Sequence, residues 1–125
     1  MKVLETCIYA RDIEAAREFY EEIFELECFV YKPPRQVFFH ADDGVFLIFN
    51  PDETRKDEKL PPHGADGCCH VCFRVDADSL PDWRRRFEEA DLEVFEATWP
   101  HGRSLYVYDP NGNLVEVAPG VIWGK

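Results

Sequence analysis

Residues 67–75 form an apolar stretch in which hydrophobic residues alternate with residues that carry functional groups. A strand with period-two alternation has His70, Cys72 and Arg74 on one face, and Val71, Phe73 and Val75 on the other. The face with Val71, Phe73 and Val75 is predicted to pack against a core. The face with His70, Cys72 and Arg74 carries side chains that can bind a ligand or transfer a proton. Residues 76–79 (DADS) follow directly and predict the start of a helix.

The first half of the chain has the same layout. Residues 2–10 alternate as a strand, with Glu5 in the place that His70 occupies in the second half. Asp12 is then expected to cap a helix, whose apolar stripe is Ile13, Ala16, Tyr20, Ile23 and Phe24. Strands are predicted near residues 28–31, 36–41 and 45–50, so the order is βαβββ.

The second half repeats this order. A helix capped by Asp78 or Ser79 is predicted, with Leu80, Trp83, Phe87 and Ala90 facing inward, and strands follow at 92–97, 104–108 and 113–118. Residues 35–44 (RQVFFHADDG) line up with residues 103–112 (RSLYVYDPNG), and each segment leads into an apolar strand. We therefore predict an α+β fold with two βαβββ modules in one domain, residues 1–125.

Two segments lie outside the predicted modules, which span residues 1–50 and 67–118. Residues 51–66 are rich in proline and charge, and predict a linker or an exposed loop that folds as a lid. His63 is expected to be exposed within it. The tail, residues 119–125, carries Val121, Ile122 and Trp123, which predict packing at a dimer contact or closure of a pocket.

Composition narrows the possible partners. The chain has 125 residues, enough for one core that buries roughly two-thirds of the unfolded surface. Its net charge is −11 and its basic residues are scattered, which disfavours nucleic acid as a partner. No apolar run approaches the ~20 residues of a membrane span, so no membrane partner is expected.

The five cysteines indicate reduced thiols. Their number is odd, and Cys68, Cys69 and Cys72 crowd into one segment, unlike a framework of spaced disulfide bridges. We therefore expect a cytoplasmic protein. A CxxC zinc or redox site at Cys69 and Cys72 is disfavoured, because strand positions three apart face opposite ways.

Three segments resemble the vicinal oxygen chelate superfamily. They are residues 4–20 (LETCIYARDIEAAREFY), 70–75 (HVCFRV) and 106–117 (YVYDPNGNLVEV). That superfamily includes glyoxalase I, fosfomycin-resistance and bleomycin-resistance proteins, and extradiol dioxygenases. The resemblance covers nearly the whole chain, and it implies paired βαβββ modules, a cup lined by two curved mixed sheets, and a homodimer.

The resemblance also implies a metal site. In metal-using members the ligands stand on the first and last strands of each module, which correspond here to Glu5, Ile48, His70 and Glu116. Ile48 cannot bind a metal, so the implied set is Glu5, His70 and Glu116. One imidazole and two carboxylates suit Mn, Fe, Zn, Ni or Co, and leave positions open for an oxygen-bearing substrate.

Strand parity agrees with this set, because each of the three residues lies opposite the aliphatic residues of its strand. Three ionisable groups buried together without a partner would be costly, and a divalent cation would remove that cost. The alternative is a metal-free contact of His70 with Glu116 or Glu5. In both cases Glu116 and Glu5 are the candidate catalytic acid or base.

Further residues are candidates for substrate binding. Arg35, Arg74 and Arg103 could bind an anionic substrate, although pairing with surface carboxylates is the simpler interpretation. Small or aromatic wall residues are predicted to be Cys7, Phe38, Cys72, Trp99 and Tyr106.

The residues and the resemblance leave three functions open. The first is a divalent-metal-dependent enzyme acting on a small oxygen-bearing molecule, with isomerase or lyase chemistry or with ring-cleaving oxygenation. The second is a metal-free binding protein similar to the bleomycin-resistance members. A third, an antibiotic-modifying transferase similar to the fosfomycin-resistance group, ranks last because a His at the first ligand place is missing.

Overall fold

The computed structural model describes residues 1–125 and divides them into two compact units. The first unit contains Met1–Cys69 and the turn Pro110–Gly112, and the second contains His70–Asp109 and Asn113–Lys125. Each unit has a four-stranded mixed sheet and one long helix, in the order βαβββ. The predicted α+β fold with two βαβββ modules is therefore confirmed.

The first unit has one sheet with the strand order β1-β4-β3-β2. The strands are β1 (Glu5–Tyr9), β2 (Cys28–Lys32), β3 (Gln36–Ala41) and β4 (Gly44–Phe49). Strand β1 pairs with β4 in parallel, while the other neighbours are antiparallel. The helix between β1 and β2 supplies the crossover that a parallel pair requires.

Helix α1 (Ile13–Glu22) covers one face of this sheet. Its start is fixed as the sequence predicts, because the Asp12 side chain accepts a hydrogen bond from the Ala15 amide at 3.0 Å. The fully buried Tyr20 ring contacts four other aromatic rings, those of Phe19, Phe24, Phe39 and Phe46. This aromatic cluster forms the core of the first unit.

The second unit repeats the arrangement with the strand order β5-β8-β7-β6. The strands are β5 (His70–Arg74), β6 (Phe95–Trp99), β7 (Gly102–Tyr108) and β8 (Leu114–Ala118). Strand β5 is parallel to β8, and the remaining pairs are antiparallel. Leu105, Val107, Val115 and Val117 are almost completely buried and alternate with residues of the other face.

Helix α3 (Leu80–Glu89) departs from the sequence prediction at both ends. A 3-10 turn, Ala77–Ser79, precedes it, and neither Asp78 nor Ser79 caps it through a side chain. The Ser79 hydroxyl instead donates to the Asp76 carbonyl at 2.6 Å. Ala90 is exposed rather than inward-facing.

The strand predicted at residues 92–97 starts later, at Phe95. Asp91 has a φ of 58°, in the left-handed region, and the Leu92 amide donates to the Phe87 carbonyl at 3.0 Å. This turn ends the helix and uses the residues that precede the strand.

The segment from 51 to 66 contains a short helix, α2 (Pro51–Thr54), and Asn50 is its N-cap. Ion pairs hold the ends of the segment, since Arg11 contacts Asp52 and Asp66 at 3.0 and 2.7 Å, and Arg55 contacts Asp66 at 2.9 Å. These two guanidinium groups lower the pKa of Asp66 to about 2.

None of the helices in the chain has the length and apolar character needed to cross a bilayer.

Candidate functional site

The polar face of the second sheet carries most of the predicted chemistry. The strand register aligns Cys72 with Glu116, and Glu116 with Tyr106, across three neighbouring strands. His70 precedes Cys72 by two positions and therefore projects on the same face. We call His70, Cys72, Tyr106 and Glu116 the second-sheet cluster.

The imidazole of His70 contacts the carboxylate of Glu116. The distance from His70 Nε2 to Glu116 Oε2 is 3.2 Å, and the two side chains are 49% and 8% exposed, respectively. The carboxylate is therefore held inside the sheet surface while the imidazole reaches toward solvent. The structure thus brings together two of the three predicted metal ligands.

The contact made by the other ring nitrogen of His70, Nδ1, determines the tautomer of the imidazole. His70 Nδ1 lies 3.0 Å from the Leu114 carbonyl oxygen, which can only accept, so Nδ1 carries the proton and donates. Nε2 then faces Glu116 either with a second proton, as an imidazolium, or with a lone pair. A lone pair beside a carboxylate requires a proton or a metal ion between them.

Glu116 has an oxygen that the protein leaves unpaired. Its Oε1 atom is buried and makes no hydrogen bond of good geometry, although the Cys72 thiol and the Tyr106 hydroxyl lie near enough to interact with the carboxylate. A buried oxygen without a well-directed donor costs free energy unless another group satisfies it. Two donor atoms that bind one ion at about 2.1 Å and at right angles lie about 3 Å apart. The His70–Glu116 separation therefore fits either a shared proton or a divalent cation between the two groups, and the buried Oε1 adds a site that a cation could satisfy.

The thiol and the phenol of the cluster are both neutral at physiological pH. Burial of the Cys72 sulfur, and then the negative charge of Glu116 and a hydrogen bond with it, raise the pKa of Cys72 to about 12. Burial also raises the pKa of Tyr106, with a further rise from Glu116 and an opposing effect of Ser104. Cys72 is therefore a wall residue rather than a nucleophile.

The remaining residues predicted for the second module lie in different surroundings. Trp99 donates its indole N–H to the buried Ser104 hydroxyl. Arg74 donates to the Lys125 carbonyl at 3.0 Å and packs against Gly120. Arg103 lies on the helix side of β7, 3.5 Å from Glu96, so the structure does not support it as a substrate contact beside Tyr106.

The first sheet has the same register with different residues. Cys7 pairs with Leu47, and Leu47 pairs with Phe38, as Cys72, Glu116 and Tyr106 pair in the second sheet. The prediction that Ile48 occupies the fourth ligand place is therefore wrong, because Leu47 occupies it. Ile48 is fully buried on the helix side. Both residues are apolar, so this place still offers no metal ligand.

A cavity of about 710 Å³ opens on the face of the first sheet that is opposite helix α1. Its lining is Glu5, Cys7, Tyr9, Arg35, Gln36, Phe38, Leu47, Phe49, Leu60 and His63. We call it the first-sheet cavity. It contains three predicted site residues, Glu5, Cys7 and Phe38, and its floor is largely aromatic and aliphatic.

The rim of this cavity carries a hydrogen-bonded pair that sequence reasoning did not identify. The Tyr9 hydroxyl lies 2.7 Å from His63 Nδ1, and the His63 ring lies edge-on to Phe49. Strand parity places Tyr9 with Glu5 and Cys7, but the position of His63 depends on the fold of the segment from 51 to 66. Only the structure could connect the two residues.

The predicted ligand set is not assembled as one group within the chain. No three His, Cys, Asp or Glu side chains lie close enough together to hold a metal ion. His70 and Glu116 belong to the second unit, and Glu5 belongs to the first. The joint site of all three residues stays a prediction. All five cysteines are free thiols.

Comparison with known proteins supports one family. The family model for the glyoxalase, bleomycin resistance protein and dioxygenase superfamily matches residues 2–117. A lactoylglutathione lyase from Agrobacterium tumefaciens is 38% identical in sequence, with a TM-score of 0.94, and the match covers 99% of this chain and 97% of that one.

Two more distant structures are similar in fold alone. A possible glyoxalase from Bacillus cereus is 22% identical, with a TM-score of 0.67, over 94% of this chain and 97% of that one. A mutant of the fosfomycin resistance protein FosX from Listeria monocytogenes was solved with Mn(II) and 1S,2S-dihydroxypropylphosphonic acid. It is 18% identical, with a TM-score of 0.69, over 93% of this chain and 87% of that one.

Proposed function

Since the chain belongs to the glyoxalase, bleomycin resistance protein and dioxygenase superfamily, we propose that it is a divalent-metal-dependent lyase or isomerase acting on a small oxygen-bearing substrate. The observation that carries the proposal is the buried Glu116 carboxylate, which contacts His70 through one oxygen and leaves the other unpaired. The similar lactoylglutathione lyase favours lyase or isomerase chemistry over oxygenation.

His70 and Glu116 would hold the metal ion, which is Mn, Fe, Zn, Ni or Co. Glu5 is proposed as the third ligand, in line with its place on the first strand. When bound, such an ion supplies Lewis-acid stabilisation of negative charge on a substrate oxygen.

The protein residues have distinct roles in the proposed chemistry. The Leu114 carbonyl orients the His70 imidazole through Nδ1, so that Nε2 points at Glu116. Glu116 is the proposed base, which accepts a proton on its unpaired Oε1, and Glu5 is the second candidate. Cys72 and Tyr106, both neutral, shape the surroundings of the carboxylate without competing for the proton.

The proposal is tested by metal-dependent stabilisation. A metal ion that binds the native state at 100 times its Kd stabilises the protein by about 2.7 kcal/mol. We expect Mn(II), Ni(II), Zn(II) or Co(II) to raise the melting temperature of the EDTA-treated protein by several degrees. His70→Ala and Glu116→Gln should each abolish this shift, while His101→Ala, in an exposed turn of the same unit, should preserve it.

The metal-free alternative makes the opposite prediction. If the purified protein contains no metal, and none of these ions changes the melting temperature, the His70–Glu116 contact is an ion pair. The protein would then be a small-molecule-binding member of the bleomycin-resistance type. Its ligand would occupy the first-sheet cavity, which exists without any metal.

Two further parts of the proposal follow the family resemblance. We propose a homodimer, for which light scattering during size-exclusion chromatography should give twice the chain mass of 14.6 kDa. Glu5→Gln should weaken metal binding without removing it, because His70 and Glu116 remain. An unchanged metal affinity in Glu5→Gln would remove Glu5 from the ligand set.

A further inference from the structure

The first-sheet cavity has a lining that selects for a particular chemical class of ligand. Phe38, Leu47 and Phe49 form its floor, and Leu60, although 63% exposed, stands at its edge. A volume of about 710 Å³ lies within the range of small-molecule sites. Such a lining favours an apolar, flat body, and aromatic side chains pack well against an aromatic ring.

The charges around the cavity disfavour anions. Arg35 is the cation of the lining, but it pairs with Asp57 at 2.7 Å and also donates to the Gln36 side chain. Glu5 adds a negative charge. With Arg35 neutralised by its partner, the lining has no positive charge to offset the desolvation of a carboxylate or phosphonate ligand.

The Tyr9–His63 pair leaves a hydrogen-bond donor free in the tautomer of His63 in which Nδ1 accepts from the Tyr9 hydroxyl. Burial, and then the nearby Cys7, raise the pKa of Tyr9, so its phenol stays protonated and can donate to His63 Nδ1. A neutral imidazole that accepts at Nδ1 carries its proton on Nε2. The Nε2–H group has no hydrogen-bond partner within the chain, so it is available to an acceptor atom.

His63 is held in place although it lies in a long connecting segment. The hydroxyl of the fully buried Thr54 donates to the His63 carbonyl at 2.5 Å, and the His63 amide donates back to the Thr54 carbonyl at 3.4 Å. Gly64 packs so closely against Arg55 that an added Cβ would lie 2.7 Å from its Nε. These contacts fix the backbone that presents the imidazole.

We propose that the first-sheet cavity binds a small uncharged aromatic molecule with a carbonyl or similar acceptor oxygen, and that His63 Nε2–H, oriented by Tyr9, recognises that oxygen. This inference names the substrate class of the proposed enzyme, and it rests on the proposed function only in treating the bound molecule as a substrate. His63 and Tyr9 are then specificity-determining residues.

Three matched benzene derivatives test the proposal by NMR titration of the full-length protein in EDTA. Acetophenone carries the acceptor oxygen, ethylbenzene lacks it, and benzene-1,4-dicarboxylate carries two negative charges. We expect acetophenone to shift the signals of Phe38, Phe49 and His63, with an affinity about three to ten times that of ethylbenzene. The dicarboxylate should leave these signals unchanged.

Variants of His63 and Tyr9 test whether these two residues cause the preference for acetophenone over ethylbenzene. His63→Phe keeps a ring beside Phe49 but removes the donor, so it should bind acetophenone and ethylbenzene equally. Tyr9→Phe should reduce the preference, and His40→Phe, an exposed histidine outside the cavity, should leave it unchanged. Preserved ethylbenzene binding in the His63 and Tyr9 variants would show that their cavity is folded.

The proposal is overturned if His63→Phe retains the preference for acetophenone, if the dicarboxylate binds equally well, or if the shifts map outside the cavity. These outcomes are independent of the metal, because EDTA is present throughout. A protein that binds acetophenone as expected but never binds a metal would end the proposed metal chemistry and leave this site intact.

Discussion

The two sheets share one strand register but present different chemistry on the face opposite their helix. In the first sheet, three neighbouring strands contribute Cys7, Leu47 and Phe38. At the same three places the second sheet has Cys72, Glu116 and Tyr106. One unit therefore has an apolar cavity with a hydrogen-bonding rim, and the other has a buried carboxylate beside an imidazole.

This difference shows that the repeated framework and the chemistry are encoded separately. The central strands of both sheets carry mainly apolar, buried residues on the helix side, because these residues form the core of each unit. The opposite face carries no such constraint, so a leucine in one unit and a glutamate in the other are compatible with the same backbone. Ligand recognition and ionisable chemistry can thus be divided between the two units.

The largest expected effect is a loss of stability when the buried aromatic residue of either helix is truncated. Tyr20 in α1 and Phe87 in α3 are both fully buried on the helix side. Substitution of either by Ala should lower the free energy of unfolding by about 3–5 kcal/mol, with Tyr20 at the upper end because four rings surround it. Chemical denaturation followed by circular dichroism measures this loss, and a loss below about 1 kcal/mol would contradict the shared core.

A smaller effect is expected when the chemistry of the second sheet is introduced into the first. Leu47→Glu places a carboxylate at the register position of Glu116, where the native side chain is only 7% exposed. We expect a loss of about 2–4 kcal/mol in EDTA, because Glu5, rather than an imidazole, occupies the place of His70 in this sheet. Leu47→Met, of similar volume, should cost less than about 1.5 kcal/mol.

Metal addition sharpens this comparison. If the proposed ligand set is correct, Mn(II) or Ni(II) should restore part of the stability of Leu47→Glu, since the new carboxylate occupies the fourth ligand place. An equal metal response in Leu47→Glu and Leu47→Met would separate the first sheet from the metal site. Thermal denaturation with and without the ion gives both measurements.

The smallest expected effect is a difference in reactivity between the equivalent cysteines. The thiolate reacts with iodoacetamide, and a pKa of about 12 keeps Cys72 almost entirely protonated at pH 8. We expect Cys72 to be alkylated about tenfold more slowly than Cys7, whose strand neighbour is Leu47 instead of Glu116. The rate at Cys72 should rise with pH throughout the range below 12.

Glu116→Gln provides the matched variant for this prediction. Removal of the negative charge lowers the pKa of Cys72, so its alkylation should accelerate, while the alkylation of Cys7 stays constant. Mass spectrometry of the labelled peptides resolves the individual cysteines. If the alkylation rate of Cys72 is the same in Glu116→Gln, burial of the sulfur alone protects the thiol.

Much of the fold could be predicted from the sequence, because helix caps, apolar stripes and strand alternation depend on residues that are close together in the chain. The Asp12 cap, the apolar stripe of α1 and strand β3 at residues 36–41 follow from residue types within a few positions. The wrong predictions concern features that depend on hydrogen bonds and strand register, which residue types alone do not fix. Ser79 fails as a cap because its hydroxyl bonds to Asp76, and the register of β4 places Leu47 where the sequence alignment suggested Ile48.

The sequence by itself determined the family, the two βαβββ modules and the placement of His70 and Glu116 opposite the aliphatic residues of their strands. Periodicity and the repeated segments carry this information, since strand faces follow directly from residue spacing. Only the tertiary structure decided that Glu116 retains an unpaired oxygen and that His63 contacts Tyr9. Each of these depends on atoms from segments far apart in the chain, whose contacts arise from packing and register.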